Sequence, residues 1–162
     1  MVQTYKMEDT IDVIKQGKMV LLPSDTVWII SCDVYQLQTI QRIHELRGGK
    51  EDPLTLIVSS MDMLKNYIGE LPPRIETLLN YHTHPLTMIY EQGKNLPEEV
   101  LGEDGSVAIH ITMDPFLKSI CEQIGGPILG LTANKIGEDI PGNFGEIKSD
   151  ILQGVDKVML VK

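Results

Sequence analysis

An α/β layer structure built on a mixed sheet is what this sequence predicts. Short apolar runs of strand length recur along the chain, stripes of helical period separate them, and polar clusters fall where the apolar runs stop. At 162 residues, of which 42% are apolar and 23% charged, the chain suits one sizeable core. Residues 1–162 therefore read as a single domain.

Met7, Ile11 and Ile14 fall at i, i+4 and i+7, which predicts an amphipathic helix over residues 8–16 closed by Gly17. The apolar run 19–22 follows as a buried strand and stops at Pro23. A turn at Pro23-Ser24-Asp25 leads to a second strand over 27–33. Leu37, Ile40, Ile43 and His44 mark a helix ending near Gly48-Gly49, and residues 54–58 form the next apolar strand. Ile75, Leu78, Leu79 and His82 give a further helical stripe. Residues 86–90 and 107–111 read as strands, the second alternating with period 2. Leu117, Ile120, Cys121 and Ile124 give the cleanest helical pattern, ended by Gly125-Gly126. Residues 127–131 form a strand running into Thr132-Ala133-Asn134, and 156–161 close the chain as a last strand.

Three polar clusters thus sit at strand ends: Ser24-Asp25-Thr26, Arg47-Gly48-Gly49-Lys50 and Thr132-Ala133-Asn134. Ligands of open α/β sheets bind in the crevice there, so these clusters predict a cleft.

Composition narrows the function. With 14 basic against 23 acidic residues the net charge is −9, and the only arginines are Arg42, Arg47 and Arg74. Affinity for a phosphate backbone draws on Lys and Arg, so RNA or DNA is a poor fit as a general partner. No apolar run approaches the roughly 18 residues of a membrane span, and residues 1–18 lack the unbroken apolar stretch of a signal peptide. Cys32 and Cys121 lie in apolar stretches and read as core residues, which suits a reducing cytoplasm. His82, His84 and His110 match no closed zinc signature, so no metal ligand is assigned. Neither a phosphate loop nor a dinucleotide fingerprint is present, nor a nucleophile elbow.

Four segments, read together, resemble the YrdC-like family of threonylcarbamoyl-AMP synthases. The family's P-T-D-T-V-Y-G-L motif has its counterpart in Pro-Ser-Asp-Thr-Val-Trp-Ile-Ile at 23–30. Its K-x-R motif before Pro-Leu matches the stretch from Arg47 to Lys50 ahead of Pro53-Leu54. A P-G-P-x-T element appears as Thr83-His84-Pro85-Leu86-Thr87. A V-A-V-R-I-P strand and a later S-A-N appear as Val107-Ala108-Ile109-His110-Ile111 and Thr132-Ala133-Asn134. Order and spacing agree from about Thr10 to Asp156.

The resemblance implies a twisted mixed sheet, parallel and antiparallel, flanked by helices around a large concave cleft. It implies a reaction that joins L-threonine, bicarbonate and ATP into threonylcarbamoyl-AMP with release of pyrophosphate. The product serves tRNA threonylcarbamoyl-adenosine modification. Magnesium would enter with ATP, and no permanently bound cofactor is expected. Some relatives are described as binding double-stranded RNA, against which the charge of this chain speaks. Carried over residue by residue, Thr26, Trp28 and His110 fall on the threonine side. Arg47, Lys50, Thr87, Thr132 and Asn134 fall on the nucleotide side.

This chain departs from the pattern in places. Ile29 stands where the family has Gly, which is expected to alter the pocket floor. Gly49 takes the second cationic position of K-x-R, with Lys50 adjacent, and His84 replaces a Gly. His110 replaces an Arg, and an ordinary imidazole, with a pKa of about 6.5, is mostly neutral at pH 7. Relatives continue into a Ser-Thr segment and a further Arg, which nothing after Val161-Lys162 supplies. Each cluster also has a plainer role. Pro23 to Thr26 would make a turn, Trp28 would pack, and Thr132 to Asn134 would cap a strand. Arg47 and Lys50 would be solvated charges at a helix C-terminus. Two functions therefore compete: the synthase, and a catalytically degenerate paralogue that binds a small ligand, RNA or a protein. A homodimer stays open.

Overall fold

The apolar runs assemble into two sheets. The computed structural model describes residues 3–4 and 7–160. In the first sheet β2 (Val20–Leu22) lies antiparallel to β3 (Ile29–Ser31) and parallel to β9 (Lys157–Leu160). The short β1 (Gln3–Thr4) pairs parallel to β9, and β8 (Leu131–Thr132) pairs antiparallel to β3, giving the order β1-β9-β2-β3-β8. In the second, β6 (Val107–Ile111) lies between antiparallel β5 (Thr87–Tyr90) and parallel β4 (Thr55–Val58). β7 (Ile128–Leu129) pairs antiparallel to β4 and completes the order β5-β6-β4-β7. The expected mixed sheet flanked by helices is present, divided in two.

The division has a local cause. A single strand was expected over 127–131, yet the chain leaves β4 after Leu129 and joins β3 at Leu131. Gly130 is the crossing point: its N–H donates to the Thr55 carbonyl at 2.9 Å, and an added Cβ would stand 2.7 Å from Ile57 Cδ1. Only a residue without a side chain allows that close backbone approach. The crossing delivers Thr132 opposite Ile29.

The helices follow their apolar stripes. In α1 (Met7–Lys15) Ile11 and Ile14 are buried, and Gly17, at φ 80°, caps the end through Ile14. Residues of α2 (Leu37–Arg47) bury Ile40, Ile43 and Arg47, and the left-handed Gly48 stops the helix. In α5 (Pro115–Ile124) Asp114 accepts the Phe116 N–H, Pro115 opens the first turn, and Gly125 ends the helix at φ 81°. The 75–82 stripe is less buried than its spacing suggests. Within α4 (Pro73–Tyr81) only Leu79 is buried, Leu78 is 45% exposed, and His82 caps the end. Two short helices, α3 (Met61–Lys65) and α6 (Ser149–Gly154), were not expected. Of the expected last strand, Val161 lies outside the described residues.

Side chains on alternate faces feed two clusters. Leu21, Ile30, Leu56, Val58, Ile109 and Leu129 join α2, α3, α4 and α6 in the larger. Val20, Leu22, Ile29, Ile57 and Ile128 meet α1 and α5 in the smaller. The central strands are buried on both faces, as their continuous apolar runs require. Among the described residues no helix is long and apolar enough to cross a membrane.

Leu56 is fully buried, opposite Ile109 on one side and Leu129 on the other. Truncating it leaves a cavity that the paired strands cannot collapse. Leu56→Ala is expected to lower unfolding stability by about 2–5 kcal/mol in urea titration, with an unchanged denaturant slope.

Candidate functional site

Strand register relates three of the candidates, Thr87, His110 and Thr132. Thr87 and Ile57 both stand opposite His110, while Thr132 stands opposite Ile29. Ile29 and Ile57 belong to the same buried cluster, so His110, Thr87 and Thr132 project from the sheet faces that α1 and α5 partly cover. Thr87 is left exposed. Ile29 itself is 3% exposed and packed with α1 and α5 residues. Its side chain is thus part of the core.

One constellation centres on Arg47. This last residue of α2 is 2% exposed, so it is not a solvated charge. Its Nε donates to the Asn134 carbonyl and its Nη2 to Thr132 Oγ1, both at 3.1 Å. A guanidinium can only donate. Thr132 Oγ1 therefore accepts from Arg47 and turns its own proton to Asn134 Oδ1, 2.6 Å away. Asn134 Nδ2 then donates to the Glu138 carbonyl at 2.9 Å. The backbone adds a further tie, Ile136 N–H to the Arg47 carbonyl at 2.8 Å. On its outer side Nη2 meets Glu51 Oε1 at 2.8 Å. A cavity of about 280 Å³ opens against this turn, lined by Ala133, Asn134, Glu138, Asp139 and Ile140 among others.

A second constellation centres on Asp25. His110 is 5% exposed, and its Nδ1 faces the Leu86 carbonyl at 3.0 Å while Nε2 faces both Asp25 oxygens at 3.1 and 3.2 Å. The Leu86 carbonyl and an ionised Asp25 both accept, an arrangement that favours a proton on each ring nitrogen. Burial works against that charge, but the hydrogen bonds to Asp25 and Leu86 and the Asp25 charge outweigh it and raise the His110 pKa. The ring therefore holds its proton more tightly than the ordinary imidazole assumed from sequence. Burial likewise opposes ionised Asp25, yet the His110 and Met113 hydrogen bonds with the His110 charge hold its pKa at about 2. Thr112 Oγ1 and the Met113 N–H also donate to Asp25, at 3.2 and 3.0 Å. The loop carrying exposed Thr26, whose N–H donates to Ser24 Oγ, is thereby pinned to the end of β6.

The other candidates divide between these. The Trp28 ring packs against Phe144 with centroids 5.1 Å apart and planes tilted by 54°, and its carbonyl accepts from the Ala133 N–H at 3.2 Å. Its contacts join it to the Thr132–Asn134 turn. Lys50 is exposed on the loop after α2. His44, one turn before the end of α2, has its pKa lowered by burial and by the charges of Lys50 and Arg47. Among the described residues no three His, Cys, Asp or Glu side chains converge to hold a metal ion. Asp25 and Glu51 were not singled out from sequence. Glu51 had one legible signal, its i+4 spacing from Arg47. Asp25 was legible only as a member of the Ser24-Asp25-Thr26 cluster, since its partners lie 85 or more residues away.

Comparison with known proteins gives a consistent picture. Residues 12–162 match the family model of Sua5, YciO and YrdC proteins, described as telomere recombination. The threonylcarbamoyl-AMP synthase of Xanthomonas euvesicatoria pv. vesicatoria (strain 85-10) is 25% identical over 98% of this chain and 87% of its own length. That of Pseudoalteromonas translucida (strain TAC 125) is 23% identical over 90% of this chain and 80% of its own. Among solved structures, P. abyssi Sua5 complexed with L-threonine superposes with a TM-score of 0.84 at 21% identity, over 98% of this chain and 47% of that one. The chain thus spans about half the length of that structure. E. coli YciO superposes with a TM-score of 0.83 at 19% identity, over 98% and 84% of the two chains.

The Asp25–His110 pair gives stability two pH limits. His110 holds its proton more tightly when folded, so its share is full below pH 6.5 and is lost as pH rises through the raised pKa. Asp25 sits at about 2 when folded, so its share is full above 3.8 and is lost as pH falls toward 2. In chemical denaturation, the advantage of the wild type over His110→Gln is expected to plateau between those limits, pH 3.8 and 6.5, and to decline on either side. Parallel pH profiles for the two proteins would contradict this.

Proposed function

The chain belongs to the Sua5, YciO and YrdC family, and from that premise we propose that it is a threonylcarbamoyl-AMP synthase, condensing L-threonine, bicarbonate and ATP with release of pyrophosphate. The observation that carries this reading is the directed relay from Arg47 through Thr132 to Asn134 beside the 280 Å³ cavity. It presents a fixed set of polar groups at a strand end, where α/β sheets bind nucleotides. The synthase names of the relatives and the L-threonine bound by P. abyssi Sua5 support the same reading.

In this proposal no side chain forms a covalent intermediate. The amine of threonine attacks carbon dioxide derived from bicarbonate to give a carbamate. A carbamate oxygen then attacks the α-phosphorus of ATP, which arrives with magnesium as part of the substrate, and pyrophosphate leaves. The protein positions charged groups and excludes water. Thr26 and the loop pinned by Asp25 and His110 would face threonine. Trp28 would wall the threonine side, while Thr87, Lys50 and the Arg47–Thr132–Asn134 set would face the nucleotide. The product would feed tRNA modification.

A second reading is a paralogue whose cleft takes a ligand without a triphosphate. One observation favours it: Arg47 and His110 are each already paired with a carboxylate, and Gly49 supplies no further cation.

Purified protein incubated with labelled ATP, L-threonine, bicarbonate and magnesium is expected to form threonylcarbamoyl-AMP and pyrophosphate. Thr132→Ala and Asn134→Ala are each expected to lower the rate by about a hundredfold, the scale for losing a preorganised polar contact. No product beside a working control would select the second reading.

A further inference from the structure

The guanidinium of Arg47 has two unlike sides. Its inner side donates to neutral acceptors, the Asn134 carbonyl and Thr132 Oγ1. Its outer side meets the carboxylate of Glu51, whose side chain is 39% exposed. Through a single oxygen at 2.8 Å, the half-exposed Glu51 covers Nη2, so an anion arriving there from solvent meets a carboxylate already in place.

The intervening loop is suited to exchange. Gly48 turns the chain at φ 75°, with open space where a side chain would lie, and Gly49 follows. At the far end Asp52 is held by the Glu103 N–H at 3.1 Å, so the loop is anchored beyond Glu51. A buried arginine left without a counter-charge is costly, whereas replacing one oxyanion by another keeps it paired throughout. A phosphate oxygen and a carboxylate oxygen are equivalent acceptors for a guanidinium fork.

We propose that Glu51 is a built-in competitor for the anionic group of the ligand at Arg47, so that this residue sets the affinity and charge selectivity of the site. Binding of a phosphate is then an exchange in which Glu51 swings into water. The arrangement disfavours weakly charged ligands, which cannot displace the carboxylate, and retains those with a di- or triphosphate. This rests on reading the Arg47–Thr132–Asn134 set as the nucleotide side of the cleft.

The test is calorimetric titration of the wild type, Glu51→Gln and Glu51→Asp with ATP and inorganic pyrophosphate, with adenosine as the uncharged probe. Gln keeps the shape without the charge, and Asp keeps the charge but falls short of Arg47. Glu51→Gln is expected to bind ATP and pyrophosphate about tenfold more tightly, Glu51→Asp by a smaller factor, and adenosine is expected to be unaffected. Glu122→Gln, on the exposed surface of α5, removes the same charge elsewhere and is expected to stay within about twofold of wild type. Wild type that binds ATP, with folded Glu51 variants that bind it no more tightly, would overturn the proposal and leave the nucleotide reading standing. No ATP binding by any of the proteins at millimolar ligand would overturn both. Equal tightening in Glu122→Gln would reduce the effect to net charge and overturn the proposal as well.

Discussion

The buried guanidinium of Arg47 is the contact on which the candidate site depends. It joins the C-terminus of α2 to the turn after β8, across 85 and more residues of sequence, through Thr132 Oγ1 and the Asn134 carbonyl. Because the cation can only donate, it fixes the direction of every hydrogen bond after it. The Thr132 hydroxyl and both ends of the Asn134 amide are assigned by that single constraint. The same burial calls for a counter-charge, which Glu51 supplies at 2.8 Å.

His110 follows the same logic elsewhere. The His110 ring at the end of β6 is buried against the Asp25 carboxylate, and the pair pins the loop between β2 and β3 to the second sheet. Cations that could meet an anionic ligand are thus held in place by acidic residues of the chain itself. Under the proposal for Glu51, a ligand reaches Arg47 only by displacing a carboxylate that already faces it. The two sheets make this geometry available, because the crossing at Gly130 sets Thr132 beside β3 while β4 and β6 stay with His110.

Much of the fold was legible because its signals are local. The stripes of α1, α2 and α5 and the glycines that stop them predicted those helices within a residue or two. Helices α3 and α6 span five and six residues, too few to show a period. The two residues of β1 owe their state to β9, at the other end of the chain. Nor could the break at Gly130 be read, since its cause is Ile57, on a neighbouring strand. In the candidate site, residue types and strand-end positions were legible and partners were not. Arg47 read equally well as a surface charge until its burial was seen. His110 read as an ordinary ring because Asp25, whose carboxylate favours its protonated form, looked like part of a turn.

Amide hydrogen exchange on wild type and Arg47→Lys tests most directly whether Arg47 orders the turn that presents Thr132 and Asn134. A lysine keeps the charge but cannot hold both acceptors with one rigid fork. The expected result is faster exchange confined to residues 131–138, with the β4–β6 amides and the first turns of α2 unchanged. Unaltered protection across 131–138 in folded Arg47→Lys would show that the turn stands without the guanidinium, and would contradict the account.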